Sequence, residues 1–304
     1  MNTSNQLTCC LCNSPLSSPI MRVLNTHGRH LLSHEEFPLY LCSSCGTYQI
    51  PIHQDDEYYS KYYNSFDYYH QQRKRTFSTF LIHLFDTINF HLRISAVPFP
   101  QKGQSLIRWL DVGAGDGNFL QKLSKKRFEP IGVEISQNGY EEIQKKNIPC
   151  FHGDFLSLEF KEKNFDIISF WHVLEHCNNP KAYLQKACDL LGDNGFLIIA
   201  LPWAESLGFT IGKENWFHLD IPRHVWLPTK HTIDTLMENL PLSLLKSFSP
   251  WWKYPLDLWW SLKQSSFFTK WFFRILYPFM KIYDKETVIF LFQKTNSQTE
   301  ITHA

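Results

Sequence analysis

From Ser105 onward, short apolar runs alternate with stretches whose apolar residues recur every three or four positions. Residues 106–110, 130–134, 148–152, 165–170, 195–201, 244–248 and 288–292 read as strands. Residues 118–126, 136–146, 180–191 and 229–239 read as helices. Alternation of this kind predicts an α/β fold, a doubly wound, seven-stranded, mostly parallel sheet with helices on both faces. Upstream, residues 1–50 carry few order signals beyond their cysteines, and residues 51–104 form a connector. Its Tyr-rich first half, around 55–63, reads as helical. In its second half Phe77, Phe80, Leu81, Leu84, Phe85 and Ile88 have the spacing of an amphipathic helix over 73–93, ended by Pro98, Pro100 and Gly103. The expected organisation is therefore 1–50, 51–104 and 105–304.

The chain has 304 residues, enough for about two domains. Lys+Arg 30 against Asp+Glu 29 leaves a formal net charge of +1, which argues against a nucleic-acid binder, and no nucleic-acid partner is expected. With 43% hydrophobic residues the chain is not of the disordered class. Met1–Thr8 has neither a basic nor an apolar region, so no secretory signal is expected, and no apolar run is long enough to span a bilayer. A cytoplasmic location follows as the expectation.

The first strand of the alternating region runs into Asp111-Val112-Gly113-Ala114-Gly115-Asp116-Gly117-Asn118. Glycines after a strand let the backbone turn tightly and approach a ligand, with the free N–H groups of the next helix beneath. The nicotinamide fingerprint needs a third glycine where Asn118 stands, and the carboxylates of Asp111 and Asp116 would repel a pyrophosphate. They suit a ligand with a positive amino group and no phosphate, and S-adenosylmethionine (SAM) is such a ligand. Glu134 ends the second strand, 21 positions after Gly113, where an acid accepts from both ribose hydroxyls. Asp154, at the end of the third, is placed to accept from the adenine amino group, and Phe155 to pack on the ring. Asp111, Gly113, Gly115, Asp116, Glu134, Asp154 and Phe155 are thus the candidate cofactor residues.

In combination these motifs resemble the class I SAM-dependent methyltransferases, in the group similar to the ubiquinone-pathway enzymes. Phe165-Asp166-Ile167-Ile168, continuing through His172-Val173-Leu174-Glu175-His176 to Pro180, matches their fourth-strand signature. His218-Leu219-Asp220-Ile221-Pro222-Arg223-His224 matches their later loop. The resemblance covers roughly 105–294 and implies a Rossmann-like methyltransferase sheet. One departure is Tyr283-Asp284-Lys285-Glu286, where many relatives carry a Gly-Arg-Gly-Asp-like turn.

Cys9/Cys12 and Cys42/Cys45 are two C-x₂-C pairs, which in a reducing compartment point to metal rather than disulfides. Four thiolates suit a closed, structural Zn²⁺ site. Asn13 and Gly46 follow the second cysteine of each pair, where φ > 0 is needed and these residue types supply it. Cys10 does not fit the spacing, and His27, His30 and His34 read as surface residues. With the downstream Tyr58-Tyr59 and Tyr62-Tyr63, this zinc ribbon is similar to those preceding the methyltransferase domain in sugar C-methyltransferases and surface-polysaccharide transferases.

Methyl transfer is an in-line displacement at an activated sulfonium carbon, so orientation supplies much of the rate and a base helps when the acceptor is a hydroxyl. The titratable groups after the fourth and fifth strands are His172, Glu175, His176, His218 and His224. His172 and His224 are the expected catalytic residues, Glu175 and His176 read as structural, and Arg223 as a partner for an anionic substrate. Aromatic and basic residues crowd 251–283, read as two helices inserted before the last strand, a lid over the substrate or a peripheral contact with the inner membrane face. The expected function is SAM-dependent methylation of a small-molecule or glycan acceptor, a sugar or polysaccharide intermediate first and a quinone-like or lipid-linked acceptor second. The rivals are a nicotinamide-dependent oxidoreductase and a non-catalytic SAM-binding scaffold.

Overall fold

The structure is a computed structural model. It describes residues 7–27, 30–63, 87, 90, 91, 94, 97, 98, 106–124, 126–161, 163–249, 261 and 285–295. Most of the expected connector helix over 73–93, and all of the aromatic insertion 251–283 except Ser261, lie outside the described residues.

The strands are β1 (Met21–His27), β2 (His30–Leu41), β3 (Tyr48–Gln49), β4 (Ile107–Val112), β5 (Phe128–Glu134), β6 (Cys150–His152), β7 (Phe165–Trp171), β8 (Leu191–Pro202), β9 (Trp226–Leu227), β10 (Leu242–Phe248) and β11 (Thr287–Lys294). The helices are α1 (Asp56–Tyr63), α2 (Asn118–Leu123), α3 (Gln137–Lys145), α4 (Pro180–Leu190), α5 (Leu207–Gly212) and α6 (Lys230–Met237). Seven strands form one sheet in the order β10-β11-β8-β7-β4-β5-β6. β8, β7, β4, β5 and β6 are parallel, and β11 runs antiparallel to both β8 and β10. This is the predicted doubly wound sheet. β4 is its switch point: the chain winds outward through β5 and β6, then returns to place β7 on β4's other side.

Period-two alternation sorts the core between the two faces of the sheet. Leu110, Ile168, Phe170, Leu197, Ile199 and Phe290 pack with Leu184 and Ala187 of α4. Their neighbours Trp109, Ile167, Ile198, Ala200 and Ile289 pack with Leu120 and Leu123 of α2 and Ile143 of α3. The helices start where side chains satisfy their first amides. The side chains of Ser136, Asn179 and Ser206 accept from Gly139, Ala182 and Phe209, and Pro180 sits in the first turn of α4.

A second sheet, β1-β2-β3-β9, was not foreseen. Its long hairpin falls in 1–50, where the sequence showed few order signals. Its last strand, β9, comes from beyond β8, pairing Gln49 with Trp226 and Tyr48 with Leu227. The cysteine region is thus stitched onto the large sheet's domain by backbone pairing. Its buried residues Val23, Phe37 and Leu39 share one core with α4's face of that sheet.

Candidate functional site

The loop after β4 turns through left-handed backbone at Gly113 (φ 72°), Gly115 (φ 58°) and Gly117 (φ 71°). The glycines differ in what a side chain would meet. A Cβ at Gly113 would lie 2.5 Å from Cγ2 of Val173. At Gly115 it would find nothing within 4 Å, so that part of the loop borders open space.

Glu134 ends β5 beside this loop and is 4% exposed. Its Oε2 accepts the Gly115 N–H at 2.7 Å and its Oε1 accepts the Ser136 N–H at 2.8 Å. Burial pushes its carboxyl up, and the amides of Ser136 and Gly115 hold it down in part. Each carboxylate oxygen can accept more than one donor, so these bonds orient the group without filling it.

Asp111 is buried under the loop, accepting from Ser169 Oγ at 2.5 Å, while Ser169 accepts the Trp109 indole N–H at 2.8 Å. Asp116 is exposed and accepts the Asn118 N–H at 3.1 Å, which shapes the start of α2. Asp154 accepts from the Tyr183 hydroxyl and, at 3.2 Å, from Ser157 Oγ. The described connector helix reaches this corner too. Burial pushes the Tyr59 phenol up to about 12, and Cys177 and Asp154 act on it electrostatically. Phe155 is 2% exposed, its ring packed on Phe160, Phe170 and Tyr183 in the core.

The turn after β7 gathers the titratable groups. His172 holds a left-handed backbone (φ 58°), pinned by its N–H to the Ala200 carbonyl at 3.0 Å. Its Nδ1–H donates to Glu175 Oε1 at 3.1 Å. Non-glycine residues held this way concentrate at functional sites. Glu175 is fully buried, and His224 Nε2 lies 4.0 Å from the same oxygen. The rings of His176 and His224 meet edge to face at 4.7 Å. Burial, with His176 beside it, pushes His224 down to about 3, so it is neutral at physiological pH. Glu175 is thus the hub that the sequence reading left as structural. The only signal for it was its position three residues after His172.

One further placement differs from expectation. Arg223 is 2% exposed, and its guanidinium donates to Asp220 Oδ1 (Nε at 3.0 Å, Nη2 at 2.6 Å) and to the Thr26 carbonyl. It locks the loop before β9 to β1 rather than meeting a substrate. His224 is 8% exposed, with Nε2 4.0 Å from Glu175 Oε1 and 3.9 Å from Asp220 Oδ2. Glu286, in the departing sequence before the last strand, is buried and accepts from the Trp216 indole.

The cysteines form a second constellation. Sγ of Cys9 lies 3.5 Å from that of Cys45, and Sγ of Cys12 lies 3.5 Å from that of Cys42. Thiolates around tetrahedral Zn²⁺ at about 2.3 Å stand about 3.8 Å apart, so the set fits the ion. The two knuckles repeat one backbone pattern. Asn13 and Gly46 donate to the carbonyls of Cys9 and Cys42, and the N–H groups of those cysteines donate to Ser14 and Thr47. Asn13 (φ 59°) and Gly46 (φ 71°) take the left-handed backbone expected of them. The second knuckle also grips α6: Thr232 Oγ1 donates to the Cys45 carbonyl at 3.3 Å, and His231 Nε2 meets the Ser44 carbonyl at 2.7 Å.

A parallel sheet with this strand order and a glycine loop facing an acid at the next strand end defines a Rossmann-like methyltransferase fold. A family model described as a methyltransferase domain matches residues 69–247, more than half of the chain, and the chain belongs to that family. It is 32% identical over 94 residues to an uncharacterised protein of Methanocaldococcus jannaschii, covering 31% of this chain and 44% of that one. It is 24% identical over 123 residues to the ubiquinone biosynthesis O-methyltransferase of Pelagibacter ubique, covering 37% and 47%. The matches span less than half the length of these relatives. Among solved structures it is similar to the magnesium protoporphyrin IX methyltransferase of Synechocystis PCC 6803, with a TM-score of 0.49, 14% identity and coverage of 73% and 90%. No helix among the described residues is long and apolar enough to cross a membrane.

Proposed function

We propose that this chain transfers a methyl group from SAM to a small-molecule acceptor. The observation that carries the proposal is the Glu134 carboxylate, buried and oriented by two amides beside the open space at Gly115. Gly113 and Gly115 let the backbone approach the cofactor, Glu134 accepts its ribose hydroxyls, Asp154 its adenine amino group, and Asp111 and Asp116 complement its positive charge. When bound, SAM supplies an activated methyl group on a sulfonium. His172 is the base for a hydroxyl acceptor. Donation of its Nδ1–H to Glu175 leaves Nε2 as the proton acceptor, in a tautomer fixed by a buried carboxylate. Such a base contributes about 10²–10⁴-fold. His224 acts with Glu175 behind it rather than on the substrate.

For the acceptor class we take a sugar or polysaccharide intermediate, on the likeness of the paired-cysteine region to the ribbons of such transferases. The cysteine set holds Zn²⁺ as a structural ion. A quinone-like acceptor is the second reading, and the similarity to the Pelagibacter ubique enzyme favours it.

The test is calorimetry of the folded, ligand-free chain with S-adenosylhomocysteine and, in parallel, NAD⁺. Binding of the first alone supports the proposal, and Glu134→Ala should then weaken it by about 3–6 kcal/mol, the worth of two charge-assisted bonds. Binding of neither overturns it.

A further inference from the structure

The side chains behind His172 have the composition and orientation of a metal-binding site. Glu175, His176 and His224 each offer one donor atom, and these atoms lie within 4.8 Å of one another. They come from separate parts of the chain: the turn after β7 brings the first two, and the loop before β9 brings the third. Both imidazoles are oriented by the backbone. His176 Nδ1 meets the Arg223 carbonyl at 2.9 Å, and His224 Nδ1 meets the His218 carbonyl at 3.0 Å. A carbonyl only accepts, so Nδ1 carries the hydrogen on each ring and Nε2 presents its lone pair. Metal-ligating histidines are held this way, their second nitrogen donating to a carbonyl or carboxylate.

The charge also suits a cation. The three donors comprise one carboxylate and two imidazoles, and the nearest guanidinium, Arg223, is already bonded to Asp220 Oδ1. The other oxygen of Asp220 lies 3.9 Å from His224 Nε2 and extends the donor set. We infer that Glu175, His176 and His224, with Asp220 beside them, bind a divalent first-row transition ion distinct from the ion of the cysteine set. Two imidazoles and a carboxylate suit Fe²⁺, Zn²⁺ or Mn²⁺. Donors at about 2.1 Å around a four-coordinate ion stand about 3.4 Å apart, so binding draws the three side chains inward by about an ångström. Sharing Glu175 with His172, the ion stands behind the proposed base and fixes the carboxylate that orients it. That role rests on the methyl-transfer proposal, whereas the site itself does not.

Co²⁺ is the probe, added to the full chain, with bound metal counted after equilibrium dialysis and the spectrum recorded. Thiolate-to-cobalt charge transfer reports the cysteine set, and the second site carries no thiolate. Two ions per chain are expected for the wild type. One ion, with the charge-transfer band intact, is expected for Glu175→Gln and for His224→Asn. Cys42→Ser should lose the band and keep one ion. His176→Gln serves if either of the first variants fails to fold by circular dichroism. A wild type that binds only the thiolate-ligated ion overturns the inference, and so does a folded Glu175, His176 or His224 variant that still binds two. Because the readout is metal content, it stands apart from S-adenosylhomocysteine binding, which tests the methyl-transfer reading.

Discussion

Substitution of Gly115 by alanine separates loss of ligand space from loss of packing. The backbone there is left-handed, at φ 58°, which costs a residue with a Cβ about 1–2 kcal/mol. No atom of the described protein lies within 4 Å of the added methyl, so no clash is added. Stability should therefore fall by that strain alone, a drop of a few degrees in melting temperature. If the open space belongs to the cofactor, the methyl intrudes on it, and overpacking of this kind costs about 1–3 kcal/mol. That is about a 5- to 150-fold loss of affinity for S-adenosylhomocysteine. Gly113→Ala is the counterpart. Its strain is similar, but its methyl would sit 2.5 Å from Cγ2 of Val173, a stiff β-branched side chain, so its main loss should be in stability. Thermal melts and calorimetry on both variants give the comparison. A Gly115→Ala protein that binds S-adenosylhomocysteine as tightly as the wild type would refute the placement of the ligand at this loop.

Three other substitutions test the placements that differ from the sequence reading or extend it. Arg223→Ala should lower unfolding free energy by about 3–5 kcal/mol, because the Asp220 carboxylate stays buried after its cation is gone; a denaturant titration measures it, and an unchanged midpoint would contradict the structural role. Phe155→Ala should destabilise by about 3–5 kcal/mol while leaving cofactor affinity in the folded protein unchanged. A selective loss of affinity would place the ring at the adenine site. Cys42→Ser should release zinc and lower the melting temperature of the whole chain. The knuckle containing Cys42 is bonded to α6, and β3 is paired with β9, so an unaffected large sheet would show that the two sheets are energetically separate.

The alternation of apolar runs after Ser105 was enough to place the strands of the large sheet within a few residues. A parallel strand buried on both faces cannot be built from anything but such a run. The glycine loop and Glu134 were legible for a related reason: backbone chemistry demands glycine at left-handed positions, and the acid follows at a spacing set by one strand-helix-strand unit. The gathering of the four cysteines was legible because they come as two C-x₂-C pairs, and Asn13 and Gly46 mark where the backbone turns. The sequence did not show β9, two residues whose only reason to be extended is that β3 lies beside them. Nor did it show the side on which Phe155 packs, since an aromatic at a strand end serves a core or a ligand equally well. Arg223 read as a surface cation because its partners, Asp220 and the Thr26 carbonyl, meet it only once the loop before β9 lies against β1. The gathering of His172, His176 and His224 around Glu175 was decided in the same way. Local sequence dictates what a residue can do with its neighbours along the chain, and contacts between a strand-four turn and a loop nearly fifty residues later exist only when the sheet has brought them together.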